Sequence, residues 1–207
     1  MAKTNQELRY HTPTTEDGPL YPPESIPRRA DLTNGGKAKG ELLILMGVIH
    51  DHRRSPVAGA IVEIWQSDKN GYYDHPRARG SDALDAHWKI ERNDLDPNFR
   101  YFGSVETDTN GVYWFQTIIP LLYRIFGFER AAHIHMKVRS INHGVLTTEV
   151  YFPGHDEDKD RQGDRVFQSR QQRSDLIANF THYKKHRLEG IPEVDSARYC
   201  QRDIFFL

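Results

Sequence analysis

The sequence lacks several features that would assign a protein to a class at once. Its single cysteine, Cys200, allows no internal disulfide, which is typical of a reducing compartment. Its 28 Lys and Arg balance 29 Asp and Glu, and the net charge of -1 gives no electrostatic reason to expect nucleic acid. No stretch approaches the roughly 20 apolar residues that cross a bilayer, and polar residues 1–10 lack the apolar core of a secretion signal. These absences predict a cytoplasmic protein that binds neither membranes nor nucleic acid.

What is present indicates a globular domain preceded by an arm. The chain has 207 residues, of which 37% are hydrophobic, and this is enough to bury a core. Residues 1–40 are polar and rich in proline and turn residues, which predicts an extended N-terminal arm. From residue 41 onward apolar runs of strand length begin, so we expect residues 41–207 to form the main folded domain.

Short strands dominate the predicted domain. The Asn110–Gly111 pair lies between two of them and is typical of a hairpin turn, because both residues tolerate positive φ. Many short strands with turn residues between them predict an all-β fold with little helix, a β-sandwich or barrel, and of the two we expect the β-sandwich. The predicted strands are residues 42–49, 57–66, 99–107, 112–118, 132–139, 145–152 and 204–207.

Long loops separate these strands, at residues 67–98, 119–131 and 153–195. Long loops inside a compact domain are usually functional. The only helical pattern in them spans residues 174–180.

The sharpest local pattern is His133-Ile134-His135. Side chains alternate along a strand, so the two imidazoles point to one face and can reach one metal ion, while Ile134 points to the core. The pair alone leaves a zinc hydrolase, a cupin-like iron site and a plain structural pair open.

Longer segments make the chain resemble a known family, the intradiol ring-cleavage dioxygenases, which include the protocatechuate 3,4-, catechol 1,2- and hydroxyquinol 1,2-dioxygenases. The resemblance is good over roughly residues 41–153 and loose elsewhere. The matching segments are residues 47–51 and 56–60, the Val62-Glu63-Ile64-Trp65-Gln66 strand, the hairpin of residues 107–115, and residues 130–135 and 148–152.

The resemblance implies four ligands to a ferric ion: Tyr73, Tyr123, His133 and His135. It also implies that Arg130 abuts the substrate. The family reaction joins a catechol and dioxygen to give a cis,cis-muconate-type diacid, and Tyr123 would act in it as a departing tyrosinate that takes a proton. Phenolates suit this role because Fe(III) is a hard cation that prefers anionic oxygen.

The chain departs from the family pattern beside these residues. Ala131 replaces a proline, Leu121 and Leu122 precede Tyr123, and Glu149 stands where the family has glutamine. Because a lone buried charge is costly, we expect Glu149 to pair with Arg130, or else to disfavour catechols that carry a carboxylate.

Two other functions stay open on the sequence. A transthyretin-like binding module would need neither Tyr123 nor the histidine pair, and a zinc hydrolase would want a carboxylate base and a colourless site. If the family applies, all four ligands lie on one chain, so no second type of subunit is required and a homo-oligomer stays open.

Overall fold

The computed structural model describes residues 11–79, 90–152, 161–170, 173–181 and 188–207. Parts of the predicted loops 67–98 and 153–195 therefore lie outside the described residues, as do residues 1–10 of the predicted arm. Within the described ranges no helix is long and apolar enough to cross a membrane.

Two sheets form a β-sandwich, as predicted. One sheet is the antiparallel order β3-β2-β7-β8, and the other centres on β1, which pairs with β4, β10 and β11. The strands are β1 (Leu42–His50), β2 (Ile61–Gln66), β3 (Phe102–Glu106), β4 (Val112–Ile118), β5 (Tyr123–Ile125), β6 (Phe128–Arg130), β7 (His133–Ser140), β8 (Gly144–Tyr151), β9 (Asn179–Thr181), β10 (Arg198–Gln201) and β11 (Ile204–Phe205).

Alternation along β7 divides the core from the opposite face of its sheet. Ile134, Met136 and Val138 are fully buried in the main core, where they meet side chains from β1 and β4. His133 and His135 lie on the other face, and the β7–β8 register sets Tyr151 opposite His133 and Glu149 opposite His135. We call this second face of the four-stranded sheet the site face.

Loops and the N-terminal segment cover the site face. Leu20 packs with Trp65, Tyr73 and Tyr123, and the Thr15 amide donates to the Thr147 carbonyl at 2.8 Å. Residues 11–40 have no strand or helix of their own apart from single bridges at Arg28 and Asp31. The division into an arm and a catalytic domain at residue 40 stays a prediction.

The helical prediction for residues 174–180 was wrong. A 3-10 turn spans Arg173–Leu176, and Phe180 lies in β9, where it pairs with Cys200 of β10. An α-helix, α1, precedes this turn and spans Arg165–Ser169. Cross-strand pairing and the stacking of Phe180 on Phe152 override a local preference for helix.

The observed start of β2 differs from the predicted one at a turn that contains a glycine. β2 begins at Ile61 rather than at the predicted residue 57, because Gly59 takes a positive φ of 69°. The short strands β5 and β6, and also β9 and β10, were not predicted, since three or four residues are too few to show alternation.

Candidate metal site

Four rings that the sequence places in three separate segments meet on the site face. The ring centroids lie 4.9 Å apart for Tyr73 and Tyr123, 5.5 Å for Tyr123 and His133, and 4.5 Å for His133 and His135. All four side chains are buried. We call these four residues the ligand cluster.

The two histidines are aimed at one point. Their Nε2 atoms are 3.1 Å apart, and the His133 Nδ1 lies 2.6 Å from the Ala131 carbonyl. Since a carbonyl only accepts hydrogen bonds, His133 carries its proton on Nδ1 and turns the Nε2 lone pair toward His135. The indole of Trp65 stacks on His135 at 4.8 Å, with the planes 2° apart, and fixes the orientation of that ring.

Two loops bring the tyrosines together. After β2 the chain turns around Asp68, whose Oδ1 accepts from the backbone amides of Asn70 and Tyr72, while its carbonyl accepts from the Leu121 amide. Gly71 has a positive φ of 80°, and a side chain there would collide with the Leu122 carbonyl. Glycine at this position therefore allows the two tyrosine-bearing segments to touch.

Burial sets the charge of the ligand cluster. It lowers the pKa of both histidines well below 6.5, so the imidazoles are neutral. Burial raises the pKa of Tyr123 to about 12, against the opposing effect of Arg130, and raises that of Tyr73 well above 10. Without a cation, both phenols therefore keep their protons.

A second buried group lies directly behind the ligand cluster. The Arg130 guanidinium donates from Nη2 to Glu149 Oε1 and to the Tyr151 hydroxyl, both at 3.0 Å, and from Nε to both oxygens of Asp164. Its Nη1 lies 3.4 Å from the Tyr123 hydroxyl. We call Arg130, Glu149, Tyr151 and Asp164 the arginine cluster.

The structure therefore contains the expected ion pair between Arg130 and Glu149, at 3.0 Å. Glu149 also receives the Tyr151 hydroxyl at Oε2 and lies 3.6 Å from Arg170 Nη2. Sequence reasoning missed Asp164 and Arg170, which follow a segment with no regular pattern, and it missed Trp65 as a neighbour of His135. One sequence signal could have identified Tyr151 as a neighbour of Glu149, because alternation along β8 puts both side chains on the same face.

The donor atoms fit a metal ion. Within the described residues the buried Tyr73 hydroxyl makes no hydrogen bond of good geometry, and the Nε2 atoms of the two neutral imidazoles face each other at 3.1 Å. Buried polar atoms in proteins are normally well paired, so a poorly paired hydroxyl beside two facing imidazole nitrogens suits a site that a cation completes. Two phenols and two imidazoles supply the oxygen and nitrogen donors that suit a ferric ion.

The fold and the site together define a class of protein, a β-sandwich with a buried cluster of tyrosine and histidine donor atoms. Comparisons with known proteins agree, because a family model described as "Dioxygenase" matches residues 17–194. The chain belongs to the family of intradiol ring-cleaving dioxygenases.

Relatives in this family carry specific names. The chain is 32% identical over 160 residues to catechol 1,2-dioxygenase of Acinetobacter baylyi, covering 69% of this chain and 47% of that protein. It is 33% identical over 147 residues to the protocatechuate 3,4-dioxygenase beta chain of Burkholderia cepacia, covering 66% and 57%. This chain therefore aligns with only about half the length of these curated relatives.

Solved structures support the fold. An intradiol ring-cleavage dioxygenase from Tetranychus urticae superposes with a TM-score of 0.68 over 95% of this chain and 94% of that one, at 18% identity.

Proposed function

We propose that this chain is a non-haem Fe(III) intradiol dioxygenase. It would cleave a catechol-type ring between the two hydroxylated carbons and add both atoms of O2, giving a cis,cis-muconate-type diacid. The observation that carries the proposal is the contiguous, buried ligand cluster, in which the Tyr73 hydroxyl makes no hydrogen bond of good geometry to any residue that the structure describes.

Tyr73, Tyr123, His133 and His135 would hold the iron. Iron held by these residues would supply the Lewis-acid and electron-accepting chemistry that makes a catechol ring reactive toward O2. Its positive charge would also lower the pKa of both phenols, which burial otherwise raises, so that they bind as phenolates.

Tyr123 is the better placed of the two tyrosines to move a proton. Arg130 counteracts the effect of burial on its pKa and lies 3.4 Å from its hydroxyl. The Tyr123 oxygen would accept one proton from the incoming catechol. Arg130 would then stabilise negative charge that develops on the substrate, as a fixed cation does in a site without water.

A second group of side chains could hold a metal ion, and it would suit a different enzyme. Ligand atoms of His133, His135 and Glu149 all lie within 4.8 Å of one another, as in the zinc hydrolase that the sequence leaves open. The Glu149 oxygens are, however, engaged by Arg130 and Tyr151, with Arg170 close by. A saturated carboxylate is a poor ligand and a poor base, so we favour the tyrosine–histidine set.

The substrate would be a small catechol with O2 as co-substrate, and the protein would work in the cytoplasm. Product analysis tests this directly. Catechol supplied with ¹⁸O2 should give a colourless muconate-type diacid that carries label in both new carboxyl groups. A yellow semialdehyde, which marks cleavage outside the diol, would contradict the proposal.

Tyr123→Phe tests the assigned proton transfer. The variant should retain part of its iron, because three ligands remain, and should turn over catechol more slowly. Wild-type kcat in an iron-loaded Tyr123→Phe would refute this role of Tyr123.

A further inference from the structure

Asp164 is fully buried and lies between α1 and the site. It is the N-cap residue of α1, and its Oδ1 accepts from the backbone amides of Val166 and Phe167 at 2.9 and 3.0 Å. An N-cap needs only this oxygen, so the second oxygen is available for another role.

The same carboxylate also holds the chain segment that leads into β7. The Arg130 Nε lies 3.2 Å from Oδ1 and 3.1 Å from Oδ2, and the Ala131 amide donates to Oδ2 at 3.0 Å. A carboxylate offers about four acceptor positions, so these contacts and the N-cap contacts saturate Asp164.

Two residues of the ligand cluster, Tyr123 and His133, depend on the segment of Arg130 and Ala131 that Asp164 holds. With Nε fixed by Asp164, the guanidinium directs Nη1 to the Tyr123 hydroxyl and Nη2 to Glu149. The carbonyl of Ala131, the residue whose amide Asp164 fixes, accepts from His133 Nδ1 and sets the tautomer that frees Nε2.

We propose that Asp164 is the positioning residue of this site. It ties the N-terminus of α1 to the segment of Arg130 and Ala131, so that one buried carboxylate orients both the arginine beside Tyr123 and the carbonyl that orients His133. The catalytic consequence rests on the proposed function, whereas the positioning itself does not.

The direct test measures solvent exchange of the Arg130 Nε–H group in the metal-free protein. In a ¹⁵N spectrum of the arginine Nε–H groups, the Arg130 signal should exchange with solvent at least about tenfold more slowly than that of exposed Arg53, because it is buried and bonded. Asp164→Asn should accelerate that exchange. Asp108→Asn is the matched control, since Asp108 Oδ1 also accepts from two backbone amides, but in the β3–β4 turn away from the site.

The second readout is a double-mutant cycle on iron-loaded protein. Asp164→Asn should lower kcat by about 10- to 100-fold with a smaller change in KM, as loss of an outer partner of a metal site does. In an Arg130→Gln background the same change should lower kcat by much less, because its main target is gone.

Equal losses in both backgrounds, an Arg130 Nε–H exchange rate that Asp164→Asn leaves unchanged, or an Arg130 Nε–H in wild-type protein that exchanges as fast as that of Arg53, would overturn the proposal. The exchange measurement needs neither iron nor activity, and its wild-type arm needs no variant. A slow Arg130 Nε–H in a protein that fails to cleave catechols would therefore sink the proposed function and leave the positioning role standing.

Discussion

The ligand cluster and the arginine cluster are neighbours with opposite chemistry. Both are buried, and they touch where Arg130 Nη1 lies 3.4 Å from the Tyr123 hydroxyl and where the His133 ring lies 5.0 Å from that of Tyr151. In the ligand cluster the side chains are neutral, and within the described residues the Tyr73 hydroxyl makes no hydrogen bond of good geometry. In the arginine cluster every member is charged or hydroxylated and is engaged by another member.

Under the proposed function, this difference separates the residues that would bind the metal from the network that holds them in place. Leaving a buried polar group unpaired costs about 1–3 kcal/mol, so a fold tolerates it where a ligand completes the site. A buried charge without a partner costs much more, so it must be paired already in the metal-free protein. The following predictions are arranged from the largest expected effect to the smallest.

His133→Ala and His135→Ala should abolish the ligand cluster. Each removes one of four donors, so iron affinity should fall by more than the roughly 100-fold that loss of an outer partner can cause, and activity should fall with it. Equilibrium metal binding against a competing chelator measures the effect. His143→Ala, in the turn at the far end of β7 and β8, should bind iron like wild type, and equal losses in all three variants would refute the assignment.

Arg130→Met should break the arginine cluster. It leaves Glu149 and Asp164 without their shared cation, so the free energy of unfolding of the metal-free protein should fall by about 3–5 kcal/mol. Arg124→Met, which removes an ion pair with Glu129 whose two side chains are 48% and 50% exposed, should cost only about 0–1 kcal/mol. Denaturant unfolding of both variants gives the comparison, and similar values would show that the buried network contributes no more than a surface pair.

Tyr73→Phe should separate stability from function. Removing a buried hydroxyl that has no partner should leave the metal-free protein as stable as wild type or more stable by about 1 kcal/mol, while iron affinity falls. Tyr101→Phe is the contrasting control, because its buried hydroxyl donates to Asp68 and accepts from the Asp96 amide. That variant should lose about 1–3 kcal/mol in the same denaturation experiment, and a comparable loss in Tyr73→Phe would mean that the Tyr73 hydroxyl has a partner after all.

Glu149→Gln should have the smallest effect, on substrate choice. Arg130 and Arg170 lie at 3.0 and 3.6 Å and offset the Glu149 charge, so the kcat/KM ratio of protocatechuate to catechol should rise by about tenfold or less, or 1.4 kcal/mol. The exposed Glu129→Gln is the control. An unchanged ratio would show that Glu149 does not influence substrate choice.

Strand alternation predicted the site face well. It placed His133 and His135 on one side of a strand with Ile134 on the other, and it placed Glu149 on the face of Tyr151. The family resemblance put that face toward the site and led to the expected pair of Arg130 and Glu149. The period of two is a local property, so the sequence carries it directly.

Asp164 and the meeting of the two tyrosine loops were beyond this reasoning. Asp164 lies 34 residues from Arg130 and caps a five-residue helix that is too short to show a periodic pattern. The contact of the loops depends on Gly71 passing close to the Leu122 carbonyl, and no periodicity encodes such an approach. For the tyrosines, family resemblance supplied what pattern did not.

The central claim is that Tyr73 and Tyr123 share a ferric ion with the two histidines, and visible absorption combined with metal analysis tests it most directly. Purified protein loaded with Fe(III) should bind about one iron per chain and turn red-brown, because phenolate donates charge to ferric iron. The band should weaken in both Tyr73→Phe and Tyr123→Phe. An active, colourless protein that contains only zinc would contradict the account.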